Sequence, residues 1–220
     1  MSSKKAFLFD LNGTMIDDMQ YHINAWHRIL NELGANISIA QMKEECYGKN
    51  EEILERMFPG RFTAVEMGTI GFEKEKKYQE DYKPQLALLP GLPIFLQNAA
   101  IHRIQMAIGS AAIIFNIDFV LDNLNLRAYF DVIVGAEDVK ASKPDPETYL
   151  SCSHKLGIDP ADCIVFEDSV KGVESALLAG MKAVVITTMH EENEFDQYSN
   201  VLLCVKDYTD ERLASLFNNS

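Results

Sequence analysis

Short apolar runs alternate with stretches of helical periodicity along most of this chain. Runs without polar alternation, flanked by turn residues, are typical of strands buried on both faces of a sheet. They are Ala6–Phe9, Ile104–Ile108, Val132–Val134, Cys163–Phe166, Ala183–Ile186 and Val201–Val205. Helical patterns lie between them, near 91–101, 116–124, 146–156 and 169–179. Strand–helix alternation predicts the α/β fold class, with a parallel sheet covered by helices on both sides.

Residues 17–83 follow a different pattern. Apolar residues such as Trp26, Ile29 and Leu30 recur at helical spacing, and no strand-like run interrupts them. We therefore predict a helical domain over 17–83, inserted into a core formed by 1–16 and 84–220. The insert follows the first strand, so we expect a lid above the strand ends, hinged at 16–18 and 83–90. Its charged segment Phe72–Lys83 is predicted to be a well-exposed helix.

Charge and cysteine usage exclude several classes of function. The chain has 20 Lys and Arg against 33 Asp and Glu, a net charge of −13, so its surface should repel nucleic acids and anionic membranes. Its 4 cysteines are scattered, without a Cys-x-x-Cys pair, which indicates free thiols in a reducing cytoplasm. No apolar run approaches the length of a membrane span. We expect a cytoplasmic monomer.

Four segments carry residues that could take part in catalysis or ligand binding. Asp10 ends the first strand, and Ser110 ends the second, where open α/β sheets bind ligands. Lys143 precedes Pro144, which favours an extended backbone at the lysine. The fourth segment consists of the acidic pair Glu167 and Asp168 at the end of a buried strand. Taken singly, three of these segments have a structural explanation: a helix cap for the serine, a solvated surface for the lysine, and a helix dipole for Asp168.

Taken together, the three acids Asp10, Glu167 and Asp168 require a cation. Carboxylates gathered at one rim repel one another, and their pKa values rise unless a positive charge compensates them. An all-oxygen site beside a phosphate suits Mg²⁺ better than zinc or copper. Asp10 could then act as a carboxylate nucleophile, with Lys143 and Ser110 stabilising a transferring phosphoryl group.

The order and spacing of these segments resemble the four motifs of the haloacid dehalogenase-like phosphotransferase superfamily. The helical insert resembles the cap of its β-phosphoglucomutase-like branch. This resemblance covers nearly the whole chain and implies a Rossmann-like core and phosphoryl transfer through Asp10. The resemblance further implies that Asp10, the backbone carbonyl of Asn12 and Asp168 hold Mg²⁺ and that Glu167 supports these ligands. It also implies that Thr14 and Ala111 lie beside the substrate.

Asn12 departs from the pattern, because the resemblance implies a second aspartate there, acting as general acid and base. An amide has no proton to give in the useful pH range. Three explanations stay open: a slow or specialised enzyme, an engineered amide that replaces a natural aspartate, or a binding protein that has lost turnover. A leaving group that departs without protonation, as from an acyl phosphate or pyrophosphate, would suffer least.

The cap also carries candidate substrate contacts. By the same resemblance, His22 and Trp26 border the active site, although a packed structural role is as plausible for the histidine and more so for the tryptophan. Gly48 and Lys49 belong to a segment that resembles the substrate loop of the mutase. That segment has Tyr47 and Glu51 where the mutase carries Lys and a phosphate-binding Arg.

We therefore expect a phosphatase acting on a small phosphorylated metabolite. A β-phosphoglucomutase, a weak phospholigand sensor and a phosphonatase that uses a cap lysine are the alternatives.

Overall fold

The structure, a computed structural model, describes residues 5–217. Within this range six parallel strands form one sheet in the order β3-β2-β1-β4-β5-β6. The strands are β1 Ala6–Phe9, β2 Gln105–Gly109, β3 Val132–Val134, β4 Cys163–Glu167, β5 Lys182–Ile186 and β6 Val201–Val205. The predicted α/β fold is confirmed, and all six predicted strands form.

The helices are α1 Met19–Glu32, α2 Ile39–Glu45, α3 Asn50–Met57, α4 Ala64–Tyr82, α5 Leu92–Ile101, α6 Ile114–Asn123, α7 Glu147–Leu156 and α8 Val170–Leu178. Helices pack on both faces of the sheet. The Phe9 ring in β1 contacts Phe95 of α5, with 6.3 Å between ring centroids. Successive side chains of a strand point to opposite faces, so Leu8 lies on the other face. There it joins a buried cluster with Tyr149 of α7 and Val173 of α8.

The register of the central strands determines where the candidate residues lie. β1 runs between β2 and β4, and Phe9 is paired with both Ile108 and Phe166. Because the strands are parallel, their carboxyl ends meet at one edge of the sheet. Asp10, Ser110 and Asp168 each follow one of these ends.

The chain divides into two compact units. One combines the chain up to Asp17 with the chain from Ala87, and the other is Asp18–Leu86. The ends of the predicted core, 1–4 and 218–220, lie outside the described residues. In the second unit, Ser38 and Thr63 cap α2 and α4 with their side chains. No helix within 5–217 combines the length and hydropathy needed to cross a membrane.

The segment Phe72–Lys83 was predicted to be a well-exposed helix, and this is wrong for the residues in its central part. Lys74 and Glu75 of α4 are buried, with 1% and 3% of their surface exposed. They are buried because they compensate one another: Lys74 Nζ lies 3.0 and 3.1 Å from the two Glu75 carboxylate oxygens. The same ammonium lies 2.6 Å from His22 Nδ1. A count of charges along the helix does not reveal this pairing.

Candidate active site

Lys143 joins the ends of three strands. Its Nζ donates hydrogen bonds to Asp10 Oδ1 at 2.7 Å, to Glu167 Oε1 at 2.7 Å and to the Gly109 carbonyl at 3.0 Å. These acceptors use all three hydrogens of the ammonium. Burial alone would lower the pKa of Lys143, but the charges of Asp10 and Glu167 raise it above its usual range. Lys143 therefore carries a positive charge between the Asp10 and Glu167 carboxylates at neutral pH.

Asp10 is buried directly after β1, where its N–H donates to the Phe166 carbonyl at 3.0 Å. Burial raises the pKa of its carboxyl to about 7, because Lys143 offsets only part of the desolvation and Glu167 adds repulsion. Ser110, also buried, hydrogen-bonds the Asp10 carboxylate and lowers this pKa somewhat. Two predicted catalytic side chains, Lys143 and Ser110, thus contact the predicted nucleophile.

Glu167 has a fully engaged carboxylate. Oε1 accepts from Lys143 Nζ and from the Tyr149 hydroxyl, both at 2.7 Å. Oε2 accepts from the N–H groups of Asp168 and Ser169 and from the Ser169 hydroxyl, each at 3.0 Å. Burial works to raise the pKa of Glu167, but Lys143 and these hydrogen bonds hold it below its usual value. Such a carboxylate is suited to orienting its neighbours.

Gly172 makes room for the Glu167 carboxylate. A Cβ at this position would lie 1.8 Å from Glu167 Oε1 and 2.3 Å from Oε2. α8 begins at Val170, so Gly172 lies in its first turn. Gly180, with φ of +75°, follows the end of α8.

Asp168 lies between this cluster and the loop after β1. It accepts a hydrogen bond from Thr14 Oγ1 at 3.3 Å, and the Thr14 carbonyl accepts one from the Tyr208 hydroxyl at 3.1 Å. Thr14 is completely buried, so its contact with Asp168 fixes the loop. Burial, together with the charges of Glu167 and Asp10, raises the pKa of Asp168 well above its usual range.

The three carboxylates converge as the sequence predicts. Asp10, Glu167 and Asp168 each offer an oxygen, and these oxygens lie within 4.8 Å of one another. Lys143 supplies one positive charge against three potential negative charges. Because the positive charge is too small to balance the carboxylates, the pKa values of Asp10 and Asp168 are raised. A divalent cation would supply the missing positive charge. The donor atoms are all oxygens, so the residues fit Mg²⁺.

The loop that carries Asn12 is a tight turn. Gly13 has φ of +72°, a conformation that L side chains rarely adopt, and its carbonyl accepts from Thr188 Oγ1 at 2.6 Å. Asn12 itself is half-buried and forms a backbone bridge with Ile16. Ala111 is half-buried beyond Ser110, whose Oγ accepts from the N–H of Ala112 at 3.2 Å.

The four predicted cap residues all lie in the unit Asp18–Leu86. His22 is buried, with its ring stacked on Tyr78 at 3.8 Å, and Trp26 is buried with Lys74 Nζ 5.1 Å from its ring centroid. Gly48 adopts φ of +84°, and Lys49 precedes α3, its N–H bonded to Glu52 at 2.9 Å. Their contacts with substrate stay predictions.

Within the candidate site, the sequence did not predict the contact of Tyr149 or the steric role of Gly172. Tyr149 does carry a signal, since it shares the buried side of α7 with Cys152 and Ser153 at helical spacing. A hydroxyl on a buried helix face needs a partner, and only the fold shows that this partner is Glu167.

The six-stranded parallel sheet and the carboxylate cluster at the ends of its strands define an α/β protein with a candidate active site at this edge. More narrowly, the chain belongs to the haloacid dehalogenase-like hydrolases, whose family model matches residues 7–186.

The chain is similar to a phosphatase, to a mutase and to a hydrolase of known structure. The chain is 29% identical over 177 residues to a fructose-1-phosphate phosphatase of Escherichia coli, covering 80% of this chain and 93% of that protein. It is 31% identical over 189 residues to the β-phosphoglucomutase of Bacillus subtilis, covering 82% of each. Among solved structures, a family IA hydrolase of Entamoeba histolytica superposes with a TM-score of 0.85 at 26% identity, over 98% of this chain and 100% of the other.

Proposed function

We propose that this protein is a Mg²⁺-dependent phosphatase that hydrolyses a small phosphorylated metabolite, of the sugar or polyol monophosphate class, through Asp10. One observation carries the proposal: Lys143 bridges Asp10 and Glu167 inside a buried cluster of three carboxylates. The similarity to a fructose-1-phosphate phosphatase supports the substrate class.

Each residue has a defined role in the proposed reaction. An oxygen of the Asp10 carboxylate attacks phosphorus, the bond from phosphorus to the leaving oxygen breaks, and the leaving group departs as an anion that takes its proton from solvent. Lys143 and Ser110, which contact Asp10, stabilise the charge on the transferring group. Water then attacks the aspartyl phosphate, which releases inorganic phosphate and restores Asp10. Mg²⁺, held by Asp10, Asp168 and the Asn12 carbonyl, would neutralise phosphoryl charge, and Glu167 would orient Lys143.

Asn12 makes the first step of this reaction demanding. The leaving oxygen of a sugar phosphate is basic and needs a proton as the bond breaks, which an amide does not supply. We propose that the protein turns over such substrates slowly and favours leaving groups that depart as anions.

Two features favour a phosphatase over a mutase, which must also hold a second phosphate. The first is Arg56 near Tyr47, whose guanidinium group is already engaged in hydrogen bonds within its own loop and so is poorly placed to bind a phosphate. It donates to the Glu45 carboxylate at 3.0 Å and to the Glu45 and Tyr47 carbonyls at 2.7 and 2.8 Å. The second is Glu137, whose carboxylate lies beyond Ser110 at the start of α6. Both of its carboxylate oxygens accept a hydrogen bond from the N–H of Ile114 at 3.1 Å. A carboxylate at this position repels a second anionic group.

The test of the proposed function is phosphate release from a panel of sugar and polyol phosphates with Mg²⁺. We expect slow but measurable release by the protein and none by an Asp10→Asn variant, because the amide is not a nucleophile. Conversion of β-glucose 1-phosphate to glucose 6-phosphate, activated by a sugar bisphosphate and without phosphate release, would instead establish a mutase. Binding of phosphate and Mg²⁺ without turnover of any substrate would establish a sensor.

Magnesium binding should depend on pH in a predictable direction. Asp10, with a pKa of about 7, and Asp168, with a raised pKa, must lose their protons to hold the ion. Without metal, each of these carboxyls has a higher pKa in the folded state than in the unfolded state. Its contribution to stability is fully present below the unfolded-state pKa and is lost as pH rises through the folded-state pKa. We therefore expect Mg²⁺ to raise the melting temperature clearly at pH 8 and little at pH 5.

Scanning fluorimetry with and without Mg²⁺ measures this shift. Asp168→Asn should abolish it, whereas Asp118→Asn, which removes a surface acid paired with Arg127, should leave it unchanged. A shift that is equal at both pH values, or that survives in Asp168→Asn, would refute the proposed site.

A further inference from the structure

Tyr149 contacts both residues that control the charge around Asp10. It lies in the first turn of α7 and is completely buried. Its hydroxyl donates to Glu167 Oε1 at 2.7 Å, and this oxygen also accepts from Lys143 Nζ at 2.7 Å. Its ring centroid lies 4.6 Å from the same Nζ. Tyr149 therefore meets Lys143 directly through its ring and indirectly through a shared acceptor.

Packing alone does not account for these contacts. Phenylalanine would fill the same space in the buried cluster around β1 without bringing a polar group into it. The hydroxyl instead donates to a charged oxygen, and hydrogen bonds to charged groups are the stronger ones. By sharing Glu167 Oε1, the hydroxyl reduces the pull of that oxygen on Lys143.

The Tyr149 hydroxyl influences how strongly the Lys143 ammonium is held by Asp10 and by Glu167. Lys143 Nζ lies 2.7 Å from oxygens of both Asp10 and Glu167, so the two carboxylates share its ammonium group. Any donor that satisfies Glu167 shifts this balance towards Asp10. The aromatic face beside the ammonium adds a cation–π contact that limits its movement.

We propose, on the basis of the proposed function, that Tyr149 is a positioning residue that keeps the Lys143 ammonium on the Asp10 carboxylate and the phosphoryl group it receives. The hydroxyl acts through Glu167, and the ring acts on Lys143 itself. The two parts of the side chain can be removed separately, which makes their contributions measurable.

The experiment compares Tyr149→Phe and Tyr149→Leu with the original protein, using 4-nitrophenyl phosphate and Mg²⁺. Tyr149→Phe should lower kcat about tenfold while KM stays nearly unchanged, because one charged hydrogen bond is lost and the packing is kept. The same loss should lower the melting temperature modestly. Tyr149→Leu should lower both kcat and the melting temperature further. The matched control is Ser153→Ala on the same helix, which removes a buried hydroxyl bonded to the Ile158 carbonyl and should leave kcat unchanged.

A second measurement separates this inference from the proposed function. Beryllium trifluoride with Mg²⁺ mimics a phosphoryl group on an aspartate, and Tyr149→Phe should bind it several times more weakly. An unchanged kcat and unchanged beryllofluoride affinity in Tyr149→Phe would overturn the positioning role. So would a fall in kcat that is matched by Ser153→Ala. An original protein that binds beryllofluoride without turnover would overturn the proposed function alone; one that does neither would overturn both.

Discussion

Asn12→Asp is expected to raise kcat for sugar phosphates by about 10²–10⁴-fold, the contribution typical of one general acid and base. The substitution is nearly isosteric, and the turn around it is fixed by the positive φ of Gly13 and the burial of Thr14. The backbone carbonyl proposed to hold Mg²⁺ is therefore retained. What changes is the presence of a titratable proton two residues after Asp10.

The gain should depend on the leaving group. A sugar oxygen departs as a strong base and benefits from a proton donor, whereas the carboxylate released from acetyl phosphate does not. We therefore expect Asn12→Asp to accelerate hydrolysis of a hexose phosphate far more than hydrolysis of acetyl phosphate. Steady-state rates of phosphate release from both compounds, with Mg²⁺ in excess, measure the two ratios.

The control is Asn193→Asp, which adds the same charge at an exposed position and should change neither rate. Equal acceleration of both compounds would show that the aspartate acts otherwise than by proton transfer. No acceleration of either would favour the sensor. Faster hydrolysis of sugar phosphates than of acyl phosphates by the original chain would refute the proposed preference for good leaving groups.

The sequence sufficed to place the main side chains of the candidate site, for a definite physical reason. Apolar runs buried on both faces identify β1, β2 and β4, and parallel strands bring their carboxyl ends together. Once the strands are known, Asp10, Ser110 and Asp168 must lie at one edge of the sheet. The bounds of β1, β3 and β6 agree residue for residue, because the runs end at polar or turn residues.

Partnerships between distant side chains escape this kind of reasoning. The hydroxyl of Tyr149 and the missing side chain of Gly172 both serve Glu167, and neither relation shows in local periodicity. The burial of Lys74 and Glu75 was missed for the same reason, since a charged helix pattern does not show which charges compensate one another. Such contacts depend on the approach of α8, α7 and α4 to their neighbours, which only the folded chain defines.

Lys143→Met should lower the free energy of unfolding by about 3–5 kcal/mol at pH 8 in the absence of Mg²⁺, because it leaves a buried charge without its partner. The Lys143 side chain is 8% exposed, and its two carboxylate partners, Asp10 and Glu167, are 11% and 1% exposed. Methionine keeps most of the side-chain volume, so a cavity contributes little. The loss is electrostatic, and phosphatase activity should vanish with it.

The pH dependence of this loss follows from its cause. Without Lys143, the pKa values of Asp10 and Glu167 should rise, and protonation at lower pH would neutralise the uncompensated charge. A carboxyl with a raised folded pKa contributes stability at low pH that disappears as pH rises through that value. The deficit of Lys143→Met should therefore be smaller at pH 5.5 than at pH 8, as urea denaturation at both pH values would measure.

Lys155→Met is the matched control, because Lys155 belongs to an exposed ion pair with Asp138 at 3.3 Å. Exposed pairs contribute about 0–1 kcal/mol, so this variant should lose little stability and show no marked pH dependence. A Lys143→Met protein as stable as the Lys155→Met protein at pH 8 would contradict the electrostatic account. It would mean that the cluster of Asp10, Glu167 and Asp168 tolerates its own repulsion and does not need a divalent cation.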